Sequence, residues 1–318
     1  MLRLLQICNV GNIVGGTAAC AWSVVRALPD CRHHVVLRSQ PTQETTDCFM
    51  SCSGVERVDF RRRMSRAEIR SLRPEVILLH NIGSNGVELP PEIPAIQYVH
   101  SNIRPLKASV EMNCSQWLAQ KRGKDDSTVC WQGVPLSKDE SSVRESRTEL
   151  VIGRICTPTD RKWPAELLPF YKELARRYDE VAWEFVGCPV RLKSSLSGAC
   201  RGRARFLEAG WQARKHLARW DLLLYHHPDL TESFGRTVTE AMRVGTIPVV
   251  DNRGGFVEQV MHEVGFLCHH QAEFMKSIEQ LRDEKIRGRM SAMAQEWANQ
   301  QWSMSAFRER LLSWFAKL

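Results

Sequence analysis

Two carboxylates, Glu232 and Glu240, lie in the segment 221–250 with seven residues between them. On one uninterrupted helix they would lie about 80° apart around the axis and about 12 Å apart along it. The pattern instead predicts that Glu232 is in a loop and Glu240 is in the second turn of a helix that starts after Gly235. Peptide N–H groups at such a helix start attract anions. Two acids with backbone donors between them suit a ligand whose hydroxyl-bearing ends are joined by phosphates, which is the layout of a nucleotide sugar.

The elements around these acids form a strand–loop–helix–strand unit. Leu222–Tyr225 is an apolar run typical of a buried strand, and Ile247–Val250 is the next such run. Between them, apolar residues recur at helical spacing until Gly245. This unit is the repeating piece of a parallel α/β sheet. On the spacing alone, a plainer interpretation stays open, in which both glutamates are solvated side chains near a helix start.

The stretch that begins at Glu232, E-S-F-G-R-T-V-T-E-A-M-R-V-G-T-I-P-V-V, resembles the E-x7-E segment of the retaining family 4 glycosyltransferases. That segment reads E-x-F-G-x-x-x-x-E-A-M-A-x-G-x-P-V-V, so this chain departs from it at Arg243, where a small residue is usual. The resemblance implies α/β structure with GT-B architecture: two Rossmann-like domains with parallel sheets facing a central cleft, and a C-terminal helix that crosses back to the first domain. It implies that Glu232 is catalytic and holds a sugar hydroxyl. The donor-binding residues that it implies here are Phe234, Gly235, Arg236, Thr237 and Glu240, the last at the ribose.

Basic residues for a diphosphate are expected where the second half begins. The sequence G-R-I-C-T-P-T-D-R-K-W-P resembles the family's strand end, whose arginine and lysine meet the donor's pyrophosphate. By this resemblance Arg154 and Lys162 bind the donor and belong to the catalytic set. Their separation is slightly longer than the family's, so Arg161 is a rival to Lys162. Arginine offers phosphate a planar fork and lysine a point charge. An ordinary surface pair is the alternative.

A glycine-rich turn follows the first predicted strand, Leu2–Val10. The turn G-N-I-V-G-G ends in Gly15 and Gly16, which let the backbone approach a ligand closely at a helix start. By resemblance this loop approaches the donor's phosphate and sugar. The alternative is a simple strand-to-helix turn, and the dinucleotide pattern G-x-G-x-x-G is absent.

Two further predicted strands, Glu75–His80 and Ala95–His100, each end in a histidine. The carboxyl ends of parallel strands are where α/β sheets bind ligands. By resemblance, His100 lies beside the transferred sugar and joins the catalytic set. We expect His80 to be a packed or capping histidine.

The chain is expected to divide at the polar segment 137–148, which reads as a linker. We predict an N-terminal Rossmann-like, acceptor-side domain over 1–136 and a Rossmann-like donor domain over 149–302. A final helix, 303–318, would pack back on the first domain.

Within these domains we predict a loop over 40–54. We also predict strands over Asn113–Ser115 and Val129–Val134, a helix over Arg214–Trp220, and a core aromatic stripe of Trp297, Trp302, Trp314 and Phe315.

Composition indicates an ordinary globular protein, with 43% hydrophobic and 25% charged residues. No apolar run approaches the roughly 20 residues that span a bilayer. The eleven cysteines are scattered without zinc spacing, as expected of reduced core residues in a cytoplasmic protein. The net charge is +8, and Arg61–Arg73 concentrates part of it. That segment could meet an anionic surface, either a membrane (leaving a peripheral location open) or nucleic acid, or be a solvated helix face.

These patterns lead to one predicted function with alternatives. We predict a retaining, metal-independent glycosyltransferase that moves a sugar from a nucleotide-diphosphate sugar to a hydroxyl acceptor, whether glycan, lipid-linked, small molecule or modified nucleic acid. No D-x-D metal motif occurs in a suitable loop, no cofactor is implied beyond the co-substrate, and family habit favours a UDP-sugar. No obligate protein partner is indicated. The alternatives are a GT-B nucleotide-sugar epimerase, a non-catalytic nucleotide-sugar or nucleic-acid binding protein, and, last, a dehydrogenase.

Overall fold

The computed structural model describes residues 1–136 and 149–318, so the predicted linker 137–148 lies outside the described residues. The chain forms two compact units. One unit contains Met1–Pro135 and Trp302–Leu318, and the other contains Leu136–Gln301. Each unit is built on a six-stranded parallel sheet with helices, which confirms the predicted α/β class. No helix within the described ranges is long and apolar enough to cross a membrane.

The first sheet has the strand order β3-β2-β1-β4-β5-β6. Its strands are β1 (Arg3–Cys8), β2 (Arg32–Leu37), β3 (Val55–Phe60), β4 (Val76–His80), β5 (Ala95–Val99) and β6 (Val110–Asn113). The helices of this part are α1 (Gly16–Ala27), α2 (Gln43–Met50), α3 (Arg66–Ser71) and α4 (Gln116–Lys121). Every residue of β4 and β5 is buried, including the polar His80 and Gln97, as expected of central strands in a parallel sheet. The strand order reverses between β1 and β4, and such a switch point opens a ligand crevice at the strands' carboxyl ends.

The second sheet has the strand order β12-β11-β10-β7-β8-β9. Its strands are β7 (Val151–Ile155), β8 (Ala182–Val186), β9 (Ala204–Leu207), β10 (Leu222–Tyr225), β11 (Ile247–Asp251) and β12 (Phe266–Cys268). The later helices are α5 (Leu167–Arg177), α6 (Val190–Ala199), α7 (Arg236–Arg243), α8 (Gln271–Leu281), α9 (Glu284–Trp302) and α10 (Met304–Phe315). Here the order reverses between β7 and β10. Of the predicted phosphate-binding bases, Arg154 lies in β7 and Lys162 follows it, and the E-x7-E segment follows β10.

Three local predictions are wrong. The predicted loop 40–54 contains α2, which Thr42 starts by accepting a hydrogen bond from the Thr45 N–H group at its side-chain oxygen, and which buries Phe49. Val129–Val134 is not a strand, since only Val129 forms a bridge, to Asn113. The strand predicted over Asn113–Ser115 lies earlier in the sequence, because β6 ends at Asn113. The helix predicted over Arg214–Trp220 is present, as the 3-10 helix Trp211–Arg219.

The last helix completes the first unit. α10 packs on α1, and Arg308 donates two hydrogen bonds to the Asp30 carboxylate at 2.5 and 2.8 Å. The segment Val129–Val134, which was predicted to be a strand, contacts the chain just before α10 instead. Its Val134 N–H group donates to the Trp302 carbonyl at 2.9 Å. A side chain at Gly133 would overlap Phe307 of α10. Trp302 and Trp314 of the predicted stripe are buried, while Trp297 and Phe315 are partly buried.

Candidate functional site

The helix start predicted to bind an anion is built around Gly235. Its φ of 85° lies in the left-handed region, and a Cβ there would overlap the Phe256 ring, so glycine is required for two reasons. The first hydrogen bond of α7 runs from the Val238 N–H group to the Gly235 carbonyl at 2.9 Å. The N–H groups of Arg236 and Thr237 precede that bond and therefore belong to the positive end of the helix dipole.

Glu232 lies in the loop between β10 and α7, as predicted, and forms an ion pair with Lys162. The Tyr225 hydroxyl, at the end of β10, donates to the same carboxylate at 2.5 Å. Burial acts to raise the pKa of Glu232, but the charge of Lys162 and the hydrogen bonds from Lys162 and Tyr225 outweigh it and hold that pKa below its ordinary value. Glu232 is therefore an anion, and Lys162 is its ion-pair partner.

Two glycines after β11 support the Glu232 backbone. The Gly255 N–H group donates to the Glu232 carbonyl at 2.9 Å. Gly254 has a φ of 64°, and a Cβ on it would overlap the Glu232 carbonyl oxygen. The loop after β11 thus fixes the acid's backbone at close range.

Arg154, in β7, packs against Tyr225, the tyrosine that donates to Glu232. Its side chain is fully buried, with the guanidinium over the rings of Trp163 at 5.0 Å and Tyr225 at 4.8 Å. It donates to the carbonyl of His226 at 2.7 Å and to that of Lys162 at 2.9 Å. Arg154 thus joins the loop after β7 to the loop after β10, and in this conformation it has no exposed surface with which to contact a ligand.

Arg161 and Lys162, the two rival bases, have different surroundings in this unit. Both lie in a short 3-10 turn, Asp160–Lys162, but Lys162 turns to Glu232 while the Arg161 side chain is exposed. The Arg161 carbonyl accepts a hydrogen bond from Nε2 of His227 at 2.8 Å, and Nδ1 of that histidine accepts one from the Leu230 N–H group at 2.7 Å. His227 therefore forms a second link between the two loops.

Glu240 lies in α7, as predicted, and is 8% exposed. Its Oε1 accepts a hydrogen bond from Arg236 at 3.0 Å and another from Arg214 at 2.9 Å. The Arg214 guanidinium also lies over the Trp211 ring at 3.9 Å. The second carboxylate of the E-x7-E pair is thus held by two arginines, one of which packs on an aromatic side chain.

The remaining predicted donor residues of this segment, Phe234, Arg236 and Thr237, lie just before α7 or in its first turn. Phe234 is buried at 3% exposure, and its carbonyl accepts a hydrogen bond from the Gln259 side chain. Arg236 is 8% exposed and its guanidinium is directed to Glu240. Thr237 is partly exposed in the first turn of α7.

The candidates of the first half lie in the first unit. Gly15 precedes α1, and its N–H group donates to the Asn12 carbonyl at 3.0 Å. No atom lies within 4 Å of a Cβ built on Gly16, so open space borders the turn there. His100, directly after β5, is 8% exposed, and its Nε2 lies 3.2 Å from Nδ1 of His80, which is fully buried as expected.

The arginine-rich segment Arg61–Arg73 is partly neutralised within its own unit. Arg61 pairs with Glu68 at 3.1 Å, and Arg70 pairs with Glu92 at 2.6 Å. Glu68 also completes a capping box with Ser65 at the start of α3. Binding of an anionic surface by this segment stays a prediction.

Sequence reasoning missed the contributions of Tyr225, Arg214 and His227 to the site. Tyr225 and His227 stand at the carboxyl end of β10, a position at which polar side chains in an apolar strand pattern signal ligand contact. Arg214 belongs to a basic stretch that suggests a solvated face, and its sequence carries no signal that it pairs with Glu240.

Comparison with known proteins supplies independent findings. Residues 200–297 match the family model described as glycosyl transferases group 1. No curated protein matches the chain by sequence. Among solved structures, the chain is similar to Anabaena Alr3699/HepE in complex with UDP, at a TM-score of 0.76 and 18% identity over 100% of both chains. The same protein in complex with UDP-glucose gives a TM-score of 0.75 at 18% identity, again over 100% of both chains.

Two other solved structures share this architecture. A glycosyltransferase from Rickettsia africae ESF-5 gives a TM-score of 0.74 at 11% identity, over 99% of this chain and 98% of that one. AviGT4, described as a glycosyltransferase involved in avilamycin A biosynthesis, gives 0.64 at 17% identity, over 100% of this chain and 98% of that one. These likenesses confirm the predicted GT-B fold.

Proposed function

We propose that this chain, a glycosyltransferase by the match of its residues 200–297, moves a sugar from a nucleotide diphosphate to a hydroxyl acceptor and retains the anomeric configuration. The observation that carries the proposal is the cluster of Lys162, Glu232 and Tyr225 beside the N-terminus of α7. Lys162 and the N–H groups at the start of α7 would bind phosphate. The ionised Glu232 would bind a sugar hydroxyl. Because similar structures hold UDP and UDP-glucose, we propose a uridine-diphosphate sugar as the donor.

The diphosphate would be bound by Lys162 and by the N–H groups at the start of α7. As the glycosidic C–O bond breaks, its electron pair stays on the diphosphate, and fixed positive groups stabilise the growing charge most at that moment. The acceptor oxygen forms the new bond to the anomeric carbon on the face from which the diphosphate leaves. Its proton passes to the departing phosphate. Glu232 would hold a hydroxyl group of the sugar during this exchange.

The nucleoside would be bound at Glu240. Both arginine hydrogen bonds described above go to Oε1 of this residue, so a ribose hydroxyl would be received at Oε2. Arg236 and Arg214 would hold the carboxylate in one orientation. Trp211, which packs against Arg214, would border the same end of the donor.

Arg154 would support the site from beneath instead of contacting the phosphates. Its two carbonyl partners, at His226 and Lys162, belong to the two loops that carry the phosphate and sugar contacts. We further propose that transfer needs no divalent metal, because Lys162 and the helix start supply positive charge where a metal would otherwise be needed.

The first experiment is a thermal-shift screen of the full chain against nucleotides and nucleotide sugars, with and without chelator. A ligand that binds only the folded state raises the Tm, by an amount that grows with its concentration over Kd. We expect UDP and a UDP-sugar each to raise the Tm, and we expect each shift to be the same whether or not chelator is present. A shift with NAD(H) or oligonucleotides alone would refute the proposal, and a shift lost on chelation would refute metal independence.

Substitutions then separate the roles in a transfer assay. Glu232→Ala and Lys162→Ala are each expected to abolish transfer, and Glu240→Ala to weaken donor binding. Glu208→Ala is the matched control, since Glu208 pairs with Lys193 in the same unit but its side chain is 89% exposed. Full activity of Glu232→Ala would contradict the site assignment. A new sugar nucleotide formed without any acceptor would indicate an epimerase, and donor binding without turnover would indicate a binding protein.

A further inference from the structure

His227 connects two loops of the second unit that carry contacts of the proposed function. The β7 loop, residues 156–166, contains Lys162, and the β10 loop, residues 226–235, contains His227 and Glu232. His227 is 5% exposed, and backbone groups bind both of its ring nitrogens. The ring therefore offers no nitrogen to a substrate, and any part that it plays in transfer must act through other residues.

The backbone partners of His227 determine which ring nitrogen carries the proton. The N–H groups of Asp229 and Leu230 lie 3.1 and 2.7 Å from Nδ1. Peptide N–H groups can only donate, so Nδ1 is the acceptor. The Arg161 carbonyl lies 2.8 Å from Nε2 and can only accept, so Nε2 carries the proton. The neutral Nε2–H tautomer is the form of His227 that satisfies all three contacts.

The surroundings of the ring favour this neutral form. Burial lowers the pKa of His227, and the positive charges of Arg154 and Arg253 act in the same direction. The hydrogen bond to the Arg161 carbonyl and the charge of Asp251 act to raise that pKa but do not outweigh the other effects. The ring is therefore uncharged at neutral pH.

The backbone of His227 is fixed as well as its ring. Its N–H group donates to Oδ2 of Asp251, the last residue of β11, at 2.7 Å. Arg253 donates to the same carboxylate oxygen at 3.0 Å and to the Pro228 carbonyl at 3.0 Å. The β10 loop is thus bound to the end of β11 at His227 and at the next residue, which holds the imidazole in one place.

The Lys162 backbone is held by hydrogen bonds on both sides of its α-carbon. The carbonyl that precedes it, that of Arg161, accepts from His227 at 2.8 Å. Its own carbonyl accepts from Arg154 at 2.9 Å. Arg154 is fully buried in β7, whereas His227 belongs to the β10 loop. His227 therefore fixes the start of the Lys162 side chain relative to the β10 loop.

The same imidazole also binds the β10 loop close to its acid. Leu230, whose N–H group donates to Nδ1 of His227, precedes Glu232 by two residues. We propose that His227, as the Nε2–H tautomer, is a positioning residue that sets where Lys162 lies relative to Glu232, and that the rate of sugar transfer depends on it. A lysine displaced by about 1 Å would stabilise the charge that grows on the diphosphate less well. The effect on transfer rests on the proposed function, whereas the hydrogen bonds of His227 do not.

Both hydrogen bonds of the ring can be tested by NMR on the uniformly 15N-labelled full chain at neutral pH. We expect long-range 1H–15N correlation to place the proton of His227 on Nε2. We also expect a scalar coupling across the hydrogen bond between the Leu230 amide nitrogen and Nδ1. An Nδ1–H ring or a doubly protonated ring would overturn the proposal, because neither could accept from Leu230, and so would the absence of that coupling. These measurements need no variant and no substrate.

Two substitutions separate the two sides of the ring. In His227→Asn the side-chain oxygen replaces Nδ1 and still accepts from Leu230, but the side chain no longer reaches the Arg161 carbonyl. In His227→Gln the amide nitrogen replaces Nε2 and can still donate to that carbonyl. We expect kcat and kcat/KM for the donor to fall together by about 10–100-fold in His227→Asn, because the lost positioning acts on the transition state. His227→Gln should restore a large part of this loss.

The KM for the donor distinguishes positioning from a general loosening of the site. It should stay nearly constant in both variants, because Glu240 is held by Arg214 and Arg236 and not by His227. The matched control is His262→Asn, the same substitution at an exposed histidine of the same unit, which should leave kcat unchanged. Unchanged kcat in a folded His227→Asn protein, or equal losses in the two His227 variants, would contradict the proposal. If His227→Asn does not fold, a kcat of His227→Gln near that of the wild type supports the proposal, and a loss of about 10–100-fold contradicts it.

Donor binding separates this proposal from the proposed function. If UDP-glucose raises the Tm and His227→Asn transfers sugar at the wild-type rate, the positioning role is wrong and the transferase assignment stands. If no nucleotide sugar binds, the proposed function fails and the effect on transfer fails with it. The NMR measurements then still decide whether His227 joins the β7 loop to the β10 loop.

Discussion

Removal of Lys162 should destabilise the protein through the acid that it leaves behind. The side chains of Lys162 and Glu232 are only 14% and 22% exposed. Exposed ion pairs contribute about 0–1 kcal/mol, whereas breaking a buried pair costs about 3–5 kcal/mol because the remaining charge stays desolvated. Partial exposure places this pair between the two cases. We therefore expect Lys162→Met to lower the free energy of unfolding by about 2–3 kcal/mol.

A double-mutant cycle isolates the pair. In Glu232→Gln the amide oxygen still accepts from the Tyr225 hydroxyl, so that substitution removes the charge and keeps the hydrogen bond. In the double variant no buried charge is left alone, and the coupling energy should be about 2 kcal/mol. The matched control cycle is Lys193→Met with Glu208→Gln, an ion pair of the same residue types with side chains 29% and 89% exposed. That cycle should give about 0–1 kcal/mol.

Urea denaturation followed by tryptophan fluorescence measures both cycles, with Trp163 adjacent to the site. The direction in which the free energy of unfolding changes with pH is a second test. The pKa of Glu232 is lowered in the folded protein, so its contribution to stability is complete above the unfolded value near about 4.3 and is lost as pH falls through the folded value. In Lys162→Met the lysine charge is gone, so burial raises the pKa of Glu232. The free energy of unfolding of this variant should therefore decrease as pH rises above about 4, where Glu232 ionises in the unfolded chain. Equal coupling in both cycles would refute this reasoning.

The remaining predictions concern packing and a buried histidine. A Cβ on Gly153 would overlap the Trp220 ring, so Gly153→Ala should lower the free energy of unfolding by about 1–3 kcal/mol or more, as measured by urea denaturation; an unchanged midpoint would contradict the close contact. His80 is neutral when folded, with a pKa of about 3, but takes up a proton near pH 6.5 when unfolded. The free energy of unfolding should therefore fall as pH drops below about 6.5, and His80→Leu should flatten this slope by up to about 1.4 kcal/mol per pH unit. Parallel slopes in the two proteins would show that His80 is not the group responsible.

The parts of the site that follow from local sequence were predictable. Glu232, Gly235 and Glu240 lie within one strand–loop–helix unit, where spacing and turn chemistry determine the elements. The α/β class follows for the same reason, because apolar runs alternate with helical patterns along the chain. Local rules therefore sufficed to relate these residues to one helix start.

The parts that depend on contacts between distant residues were not predictable. Burial of Arg154 requires Trp163 and Tyr225 to lie on either side of it, and only the sheet brings them together. The segment 129–134 has a strand-like composition, but its backbone is bound by Trp302, which is far away in the sequence. Nothing near either segment signals these partners.

The return of α10 to the first unit has a consequence for biosynthesis. The first unit needs Trp302–Leu318, which follow the whole of the second unit in the sequence. A ribosome adding about 5–20 residues per second produces Leu136–Gln301 before the surface around Gly133 can receive Phe307. During that interval the nascent first unit exposes an apolar surface, and the second unit can finish folding before it. That surface therefore stays uncovered for as long as the second half of the protein is being made.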